Sequence, residues 1–230
     1  MLSFISPITL ALISNKTLRE ENNSDHLIGL IDNFVKTVSG GLTGTGRANP
    51  GDSVKNSPLT PSESQYSAKL MRVNHSGEVA AQALYQGQLF FEKDSQLVEY
   101  LSNAANEEAD HLIWTSSQLK KLSSHESYFN SLWYFGAFFL GVFASVSGKR
   151  YSTSFLAETE NQVAEHLRGH LSIIPLKDKS SILVIESMLE DETAHANWAK
   201  NSGSFKELPN ILKSLMGNGA KIMIYFSKKT

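Results

Sequence analysis

Apolar positions recur at helical spacing in several separate stretches of the chain, and nowhere do they alternate with polar ones as a half-buried strand requires. Over residues 25–38, Leu27, Ile28, Leu30, Ile31, Phe34 and Val35 fall on one face of a short amphipathic helix, with Ser24 or Asp25 as its N-cap. A run rich in Gly, Ser and Pro follows to about residue 60 and reads as a flexible linker with no packed structure of its own. The main body opens near Ser62, with a first helix expected to about Lys93 and a second from Ser95 to Leu122. A third is expected over Ser152–Ile174, stopping before Pro175, whose ring clashes with a continuing helix, and a fourth over Lys177–Lys200. A last helix covers Leu208–Ser227. Gly77 and Gly87 each weaken the first helix by about 1 kcal/mol relative to Ala, so packing must override them. The fold class is all-α: residues 1–60 are an extension with a short helix and a linker, and residues 61–230 are the helical domain.

Between the second and third helices lies the most apolar part of the chain, Ser127–Gly148, 22 residues without a charge. By length alone it is a candidate membrane span. Gly136, Gly141 and several serines interrupt it, leaving a short continuous apolar run. The N-terminal run Leu2–Ile13 lacks the leading basic residues and the small-residue cleavage site of a secretory signal, and it has too few arginines for a transit peptide. The first ~20 residues therefore read as an extension, and the expected compartment is cytoplasmic.

Composition narrows the chemistry by exclusion. The 230 residues bound the chain to one moderate core or two small domains, and the net charge of −2 gives no electrostatic reason to expect nucleic acid. With no cysteine, disulfides, thiolate zinc, iron–sulfur clusters and a thiol nucleophile are excluded, so any metal must be held by nitrogen and oxygen.

Two ExxH motifs stand on expected helices, Glu108-Ala-Asp-His111 and Glu192-Thr-Ala-His195. Residues three apart share a helix face, so each motif offers a carboxylate and an imidazole to one centre. Glu78 precedes Glu108 by 30 residues and Glu160 precedes Glu192 by 32, the spacing that brings such positions level in a helical hairpin. The same unit, a lone Glu followed by ExxH, thus occurs twice. Four carboxylates and two histidines are the inventory of a di-iron carboxylate four-helix bundle of the ferritin-like kind. Oxygen donors with one imidazole per metal suit iron or manganese better than zinc, and four carboxylates balance two divalent ions. Glu158 competes with Glu160, two residues and about 200° around the helix. Glu107, Glu165, Glu190 and Asp191 are expected to face solvent or form surface pairs. His75 is read as a packing residue or a support for the metal ligands rather than a ligand itself, and His170 as a polar residue on a half-buried face. His26 and His125 are read as surface and loop residues, and His166 as either such a polar-face residue or a support for the metal site.

The segment MRVNHSGEVAAQALYQGQ, residues 71–88, resembles the signature of the demethoxyubiquinone monooxygenase family, the di-iron hydroxylases of ubiquinone biosynthesis. NEEADHL at 106–112, the apolar stretch around 132–148, AETENQVAEHL at 157–167 and EDETAHA at 190–196 agree in order and spacing, so the likeness covers about residues 60–230. The resemblance implies iron ligands at Glu78, Glu108, His111, Glu160, Glu192 and His195. It also implies a role near the iron for His166, and it matches Tyr85 to a family tyrosine two turns from Glu78. It further implies hydroxylation of a polyprenylated methoxy-methyl-benzoquinone ring with two iron ions per chain, O2, and NADH as the ultimate reductant. No Gly-rich nucleotide fingerprint is present to hold NADH. The expected partners are the polyprenyl quinone, a membrane surface and a ubiquinone-biosynthesis protein complex.

The rivals are another member of the same bundle class, tRNA-modifying or iron- and peroxide-handling, and, from a different class, a non-enzymatic membrane-associated helical protein. The ligand set bears on the apolar stretch too. Glu78, Glu108 and His111 precede it while Glu160, Glu192 and His195 follow it, so a single crossing would place the half-sites on opposite sides of a bilayer. The stretch is therefore expected to lie along the interface, with Trp133 and Tyr134 near the headgroups and residues 221–229 assisting, on the cytoplasmic face of the cell membrane as a peripheral protein.

Overall fold

The computed structural model describes residues 23–230, with side chains from residue 28 onward; the run Leu2–Ile13 and the side chain of His26 lie outside them. Among the described residues every regular element is a helix. These are α1 (Asn23–Ser39), α2 (Pro61–Phe91), α3 (Ser95–Lys121), α4 (Asn130–Val146), α5 (Lys149–Leu171), α6 (Lys179–Asn201) and α7 (Asn210–Ser227), with a 3₁₀ turn at Pro50–Asp52. The boundaries follow local chemistry. Thr60 and Glu63 form a reciprocal capping box ahead of α2, with Pro61 in the first turn, where a missing N–H costs nothing. Asp94 caps α3 and Asp178 caps α6, each accepting a backbone N–H. Helix α5 ends at Leu171, three residues before the expected stop at Ile174, and α6 begins after its Asp178 cap rather than at Lys177.

Residues Phe34–Thr230 form one compact unit. Helix α2 runs through its middle, buried on almost every side from Ser67 to Gln88, and packs on α3 and α4, while α5 packs on α6. Hydrogen bonds from Ser64 to Leu122 and from Gln82 to Ala105 tie both ends of the α2–α3 hairpin and show it to be antiparallel. The α2–α4 crossing is very close. A Cβ on Gly87 would collide with the Phe138 carbonyl, and one on Gly141 with that of Leu84, so two glycines that weaken their own helices let the backbones touch. On its far side α4 exposes Leu132, Phe135, Phe139 and Phe143, whereas Tyr134, expected near the headgroups, is buried against α2 with its hydroxyl donating to Gln86. No helix among the described residues is long and apolar enough to cross a membrane.

Along α2, α3, α5 and α6 the core is layered. One apolar layer contains Met71, Trp114, Leu119, Leu167, Ile185 and Met188. A second contains Tyr85, Leu97, Leu101, Leu156, Ala157 and Ala199. Along the four helices Glu78, Glu108 with His111, Glu160, and Glu192 with His195 fall between the residues of these two layers.

The segment after α1 corrects the linker reading. Gly44 lies so close to α3 that a Cβ would meet Asp110, and Gly51 is buried against Gln118 and Ser180. Ser180 donates to the Gly51 carbonyl, and Asn56 pairs with Asp178. Turn-forming composition marks an absence of regular structure, and here that irregular chain lies against α3 and α6 with its polar groups satisfied by them.

Candidate metal centre

Glu78, Glu108, His111, Glu160, Glu192 and His195 are all buried, at 0–4% exposure, in the polar layer between the two apolar ones. His111 Nδ1 lies 3.1 Å from Glu108 Oε2 and 3.5 Å from both Glu78 Oε2 and Glu192 Oε1. His195 Nδ1 lies 3.2 Å from Glu108 Oε1 and 3.9 Å from Glu192 Oε2. Two sets result, each with its donor atoms within 4.8 Å of one another: Glu78, Glu108, His111 and Glu192, and Glu108, Glu160, Glu192 and His195. Glu108 and Glu192 belong to both. Glu160 rather than Glu158 reaches the cluster; Glu158 turns away to Gln162 and Lys213.

Four buried carboxylates cannot all stay ionised without counter-charge, since two like charges 4 Å apart repel by about 4 kcal/mol even at an effective dielectric of 20. The cluster divides its protons accordingly. Burial drives Glu78 and Glu160 well above the usual carboxylate range, with the neighbouring carboxylates adding to it. Burial pushes Glu108 the same way, but His111 and His195 outweigh it and hold that carboxyl well below the usual range. Glu192 also lies low, because the proximity of Glu160, His111 and His195 outweighs burial and the Glu108 charge. Burial disfavours both imidazolium ions, yet the carboxylates raise His111 well above its ordinary value and His195 to about 12. Two anions, two neutral carboxyls and two imidazolium ions sum to zero. Two divalent cations facing four carboxylates and neutral imidazoles also sum to zero, so metal would replace four protons with no net charge buried.

The residues fit such ions on an observation independent of that count. Glu78 Oε2, Glu108 Oε1, both Glu192 oxygens and His195 Nδ1 are buried and find no aligned hydrogen-bond partner among the described residues. Orphaned polar atoms of this kind are costly, and they converge on the centre of the two sets.

A second ring of groups corrects the expectation that Glu107 and Asp191 are surface residues. Asp191 Oδ2 lies 2.9 Å from His111 Nε2, and Glu107 Oε2 lies 2.8 Å from His195 Nε2. Each is the acid immediately before an ExxH glutamate, and each reaches the histidine of the opposite half. A step of one residue turns the side chain about 100°, which at a helix–helix contact points it to the neighbouring helix and not to water. The signal was present in the sequence as an acid preceding both ExxH motifs. Glu165 and Glu190 are exposed.

Tyr85 Oη donates to Glu160 Oε1 at 2.7 Å. His166 stands outside both sets, its ring 4.0 Å from that of His170, which bonds Asn74 at 2.7 Å. Burial lowers His166 to about 4 and His170 to about 3, so both are neutral near pH 7. His75 bonds Glu126 and Asn130, away from the cluster, and His125 is exposed. Beside the cluster lies a cavity of about 1090 Å³ between α2, α4, α5 and α7. Its walls include Leu84, Ala137, Leu140, Phe143, Phe155 and Leu212, while Glu78, Asn74 and His166 supply polar points. Size and lining suit a largely apolar molecule with one polar end.

The class of protein so defined is a helical bundle with buried carboxylate–imidazole groups that could bind metal, set beside a largely apolar cavity. The chain belongs to the family of the ubiquinone biosynthesis protein COQ7, which matches residues 65–227. It is 40% identical over 205 residues to the 3-demethoxyubiquinol 3-hydroxylase of Nitrosococcus oceani, covering 89% of this chain and 95% of the relative. It is 41% identical over 207 residues to the 3-demethoxyubiquinol 3-hydroxylase of Legionella pneumophila strain Corby, covering 90% and 97%. The protein of that name from Acinetobacter baylyi is 41% identical over 206 residues, covering 90% and 97%.

Proposed function

We propose that this protein hydroxylates the ring of 3-demethoxyubiquinol, a polyprenylated methoxy-methyl-benzoquinol, in ubiquinone biosynthesis, using two iron ions held on a ferritin-like four-helix scaffold. The observation that carries the reading is the pair of buried sets sharing Glu108 and Glu192, with Glu78 also lining the apolar cavity. Relatives named as hydroxylases over nine-tenths of the chain supply the substrate class. Bound iron supplies O2 activation. In the overall reaction one oxygen atom enters a ring C–H bond and the other leaves as water, with two electrons and two protons from a reductant of the NADH class.

The residues of the chain do the rest. Glu108 and Glu192, which belong to both donor sets, would hold the pair of ions together, while Glu78 with His111 and Glu160 with His195 would complete the two ends. Tyr85 holds its proton on Glu160 Oε1 and so orients that carboxylate. The cavity wall takes the isoprenoid tail and excludes water from the ring, and neutral His166 offers a ring nitrogen at that wall. Exposed Leu132, Phe139 and Phe143 on α4 and Ile211, Leu215 and Ile222 on α7 let the protein rest on the cytoplasmic face of the membrane, from which the quinol enters. A protein complex of the same pathway is a further partner under this reading.

The test is a deletion strain combined with metal analysis. The strain should accumulate the quinone one hydroxylation short of ubiquinone, and purified protein loaded with Fe(II) without oxygen should hold two irons per chain. Normal ubiquinone without a second such enzyme, or no iron uptake, defeats the reading.

A further inference from the structure

The segment between α1 and α2, which the family match at residues 65–227 does not include, is built onto the back of one half of the cluster. Arg47 Nη1 lies 2.7 Å from Asp191 Oδ2, the same oxygen that faces His111 Nε2 at 2.9 Å. Arg47 Nε lies 3.0 Å from Asp110 Oδ2, which Thr45 Oγ1 also reaches, and the guanidinium sits 4.9 Å over the Trp114 ring. Gly44 brings the backbone against Asp110 where no Cβ fits, and Gly51 and Asn56 anchor the downstream end on α6. Arg47 thus spans α3 and α6 with its planar fork and holds the Asp191 carboxylate in one orientation.

The other half has no such support. Glu107 faces His195 at 2.8 Å but is 39% exposed against 20% for Asp191, and among the described residues no arginine or lysine pairs with it. A carboxylate on the outer ring nitrogen of a metal-binding histidine fixes which nitrogen carries the proton and how the ring is aimed, and losing it commonly costs 10–100-fold in metal affinity. A fixed carboxylate does this better than a mobile one, because the ordering is complete before the metal arrives.

We propose that residues 44–56 are a strap whose Arg47 positions Asp191 against His111, so that the His111 half of the cluster is the tighter metal position and the His195 half the weaker. The proposal rests on the reading of the cluster as a two-metal centre. Arg47 is a positioning residue that touches neither metal nor substrate.

The experiment titrates the full-length metal-free protein with Mn(II), following binding calorimetrically and locating the first equivalent by anomalous diffraction. Wild type should bind two ions in resolvable steps, the first on the Glu78–His111 side. Arg47→Gln should weaken the first step about 3- to 10-fold and leave the second unchanged, and Asp191→Asn should weaken it more, within the 10–100-fold range. Glu107→Gln should weaken the second step alone, and Arg47→Lys should restore part of the loss. Circular dichroism establishes that each variant is folded, and a variant that does not fold is replaced by Thr45→Val, which loosens the strap through Asp110 and should weaken the first step by a smaller factor. Two equal sites in wild type, a first ion on the His195 side, or an Arg47→Gln isotherm identical to wild type overturns the strap proposal while leaving the two-metal reading intact. No Mn(II) or Fe(II) uptake by wild type overturns both.

Discussion

The two halves of the cluster are made of the same parts and set in different surroundings. Each supplies a lone glutamate and a Glu-x-x-His, and each histidine is met from behind by an acid of the opposite half. There the likeness stops. Glu78 lines the large apolar cavity and receives no hydroxyl hydrogen bond among the described residues, whereas Glu160 is held by Tyr85. His111 is wholly buried behind Asp191 and Arg47, while His195 is backed by a half-exposed glutamate. A repeated sequence unit therefore guarantees the donor set without making the two positions equivalent. One lone glutamate borders the apolar cavity, and the other is tied to the scaffold by a tyrosine.

Removing what the halves share should have the largest effect. Glu108→Ala or Glu192→Ala should abolish binding of both ions, because each carboxylate serves both sets, whereas Glu78→Ala should spare one. Metal-to-protein ratios decide it, and two ions retained in Glu108→Ala would break the comparison at its root.

The next effect is one of pH. In metal-free protein Glu78, Glu160 and His195 keep their protons to higher pH folded than unfolded. The stability they lend is therefore complete below the ordinary values, 4.5 for the glutamates and 6.5 for histidine, and is lost as pH rises, for His195 up to about 12. Denaturant midpoints of the metal-free protein should fall between pH 6.5 and 9, by at most about 1.4 kcal/mol per pH unit for each such group. Metal affinity should rise over the same range, since four protons leave as two ions bind. A metal-free protein that gains stability on alkalinisation would contradict the proton distribution.

Tyr85→Phe sharpens the difference between the lone glutamates. It leaves a buried Glu160 oxygen without its donor, at a cost of about 1–3 kcal/mol in urea unfolding of the metal-free protein. The accompanying loss of metal affinity should fall on the His195 side alone, and equal weakening of both sites would show that the hydroxyl does not distinguish them. The smallest effect belongs to Glu190→Ala. This exposed neighbour of Asp191 should change stability by less than about 0.5 kcal/mol and leave metal content intact.

Helical periodicity was enough to locate α2, α3, α5, α6 and α7 within a few residues of their ends, because an amphipathic stripe and a capping residue are local properties. The grouping of Glu78, Glu108, His111, Glu160, Glu192 and His195 on facing sides of four helices was legible for the same reason, since spacing along a helix dictates direction around it. Other features were not local. Asp191 and Glu107 were expected at the surface because a sequence shows which way a residue points on its own helix but not which helix stands there. Residues 44–56 carried only the marks of irregular chain, and irregular chain is packed or loose according to whether partners such as Asp110, Gln118 and Ser180 await it. Gly87 registered as a helix-weakening residue and Gly141 as a break in an apolar run; only the α2–α4 crossing shows them as a contact. The sequence by itself determined the elements, the donor chemistry and its twofold repetition. The tertiary structure alone decided what backs each donor, because hydrogen-bond partners and backbone approach distances depend on pairs of segments far apart in the chain, and no single segment encodes its neighbour.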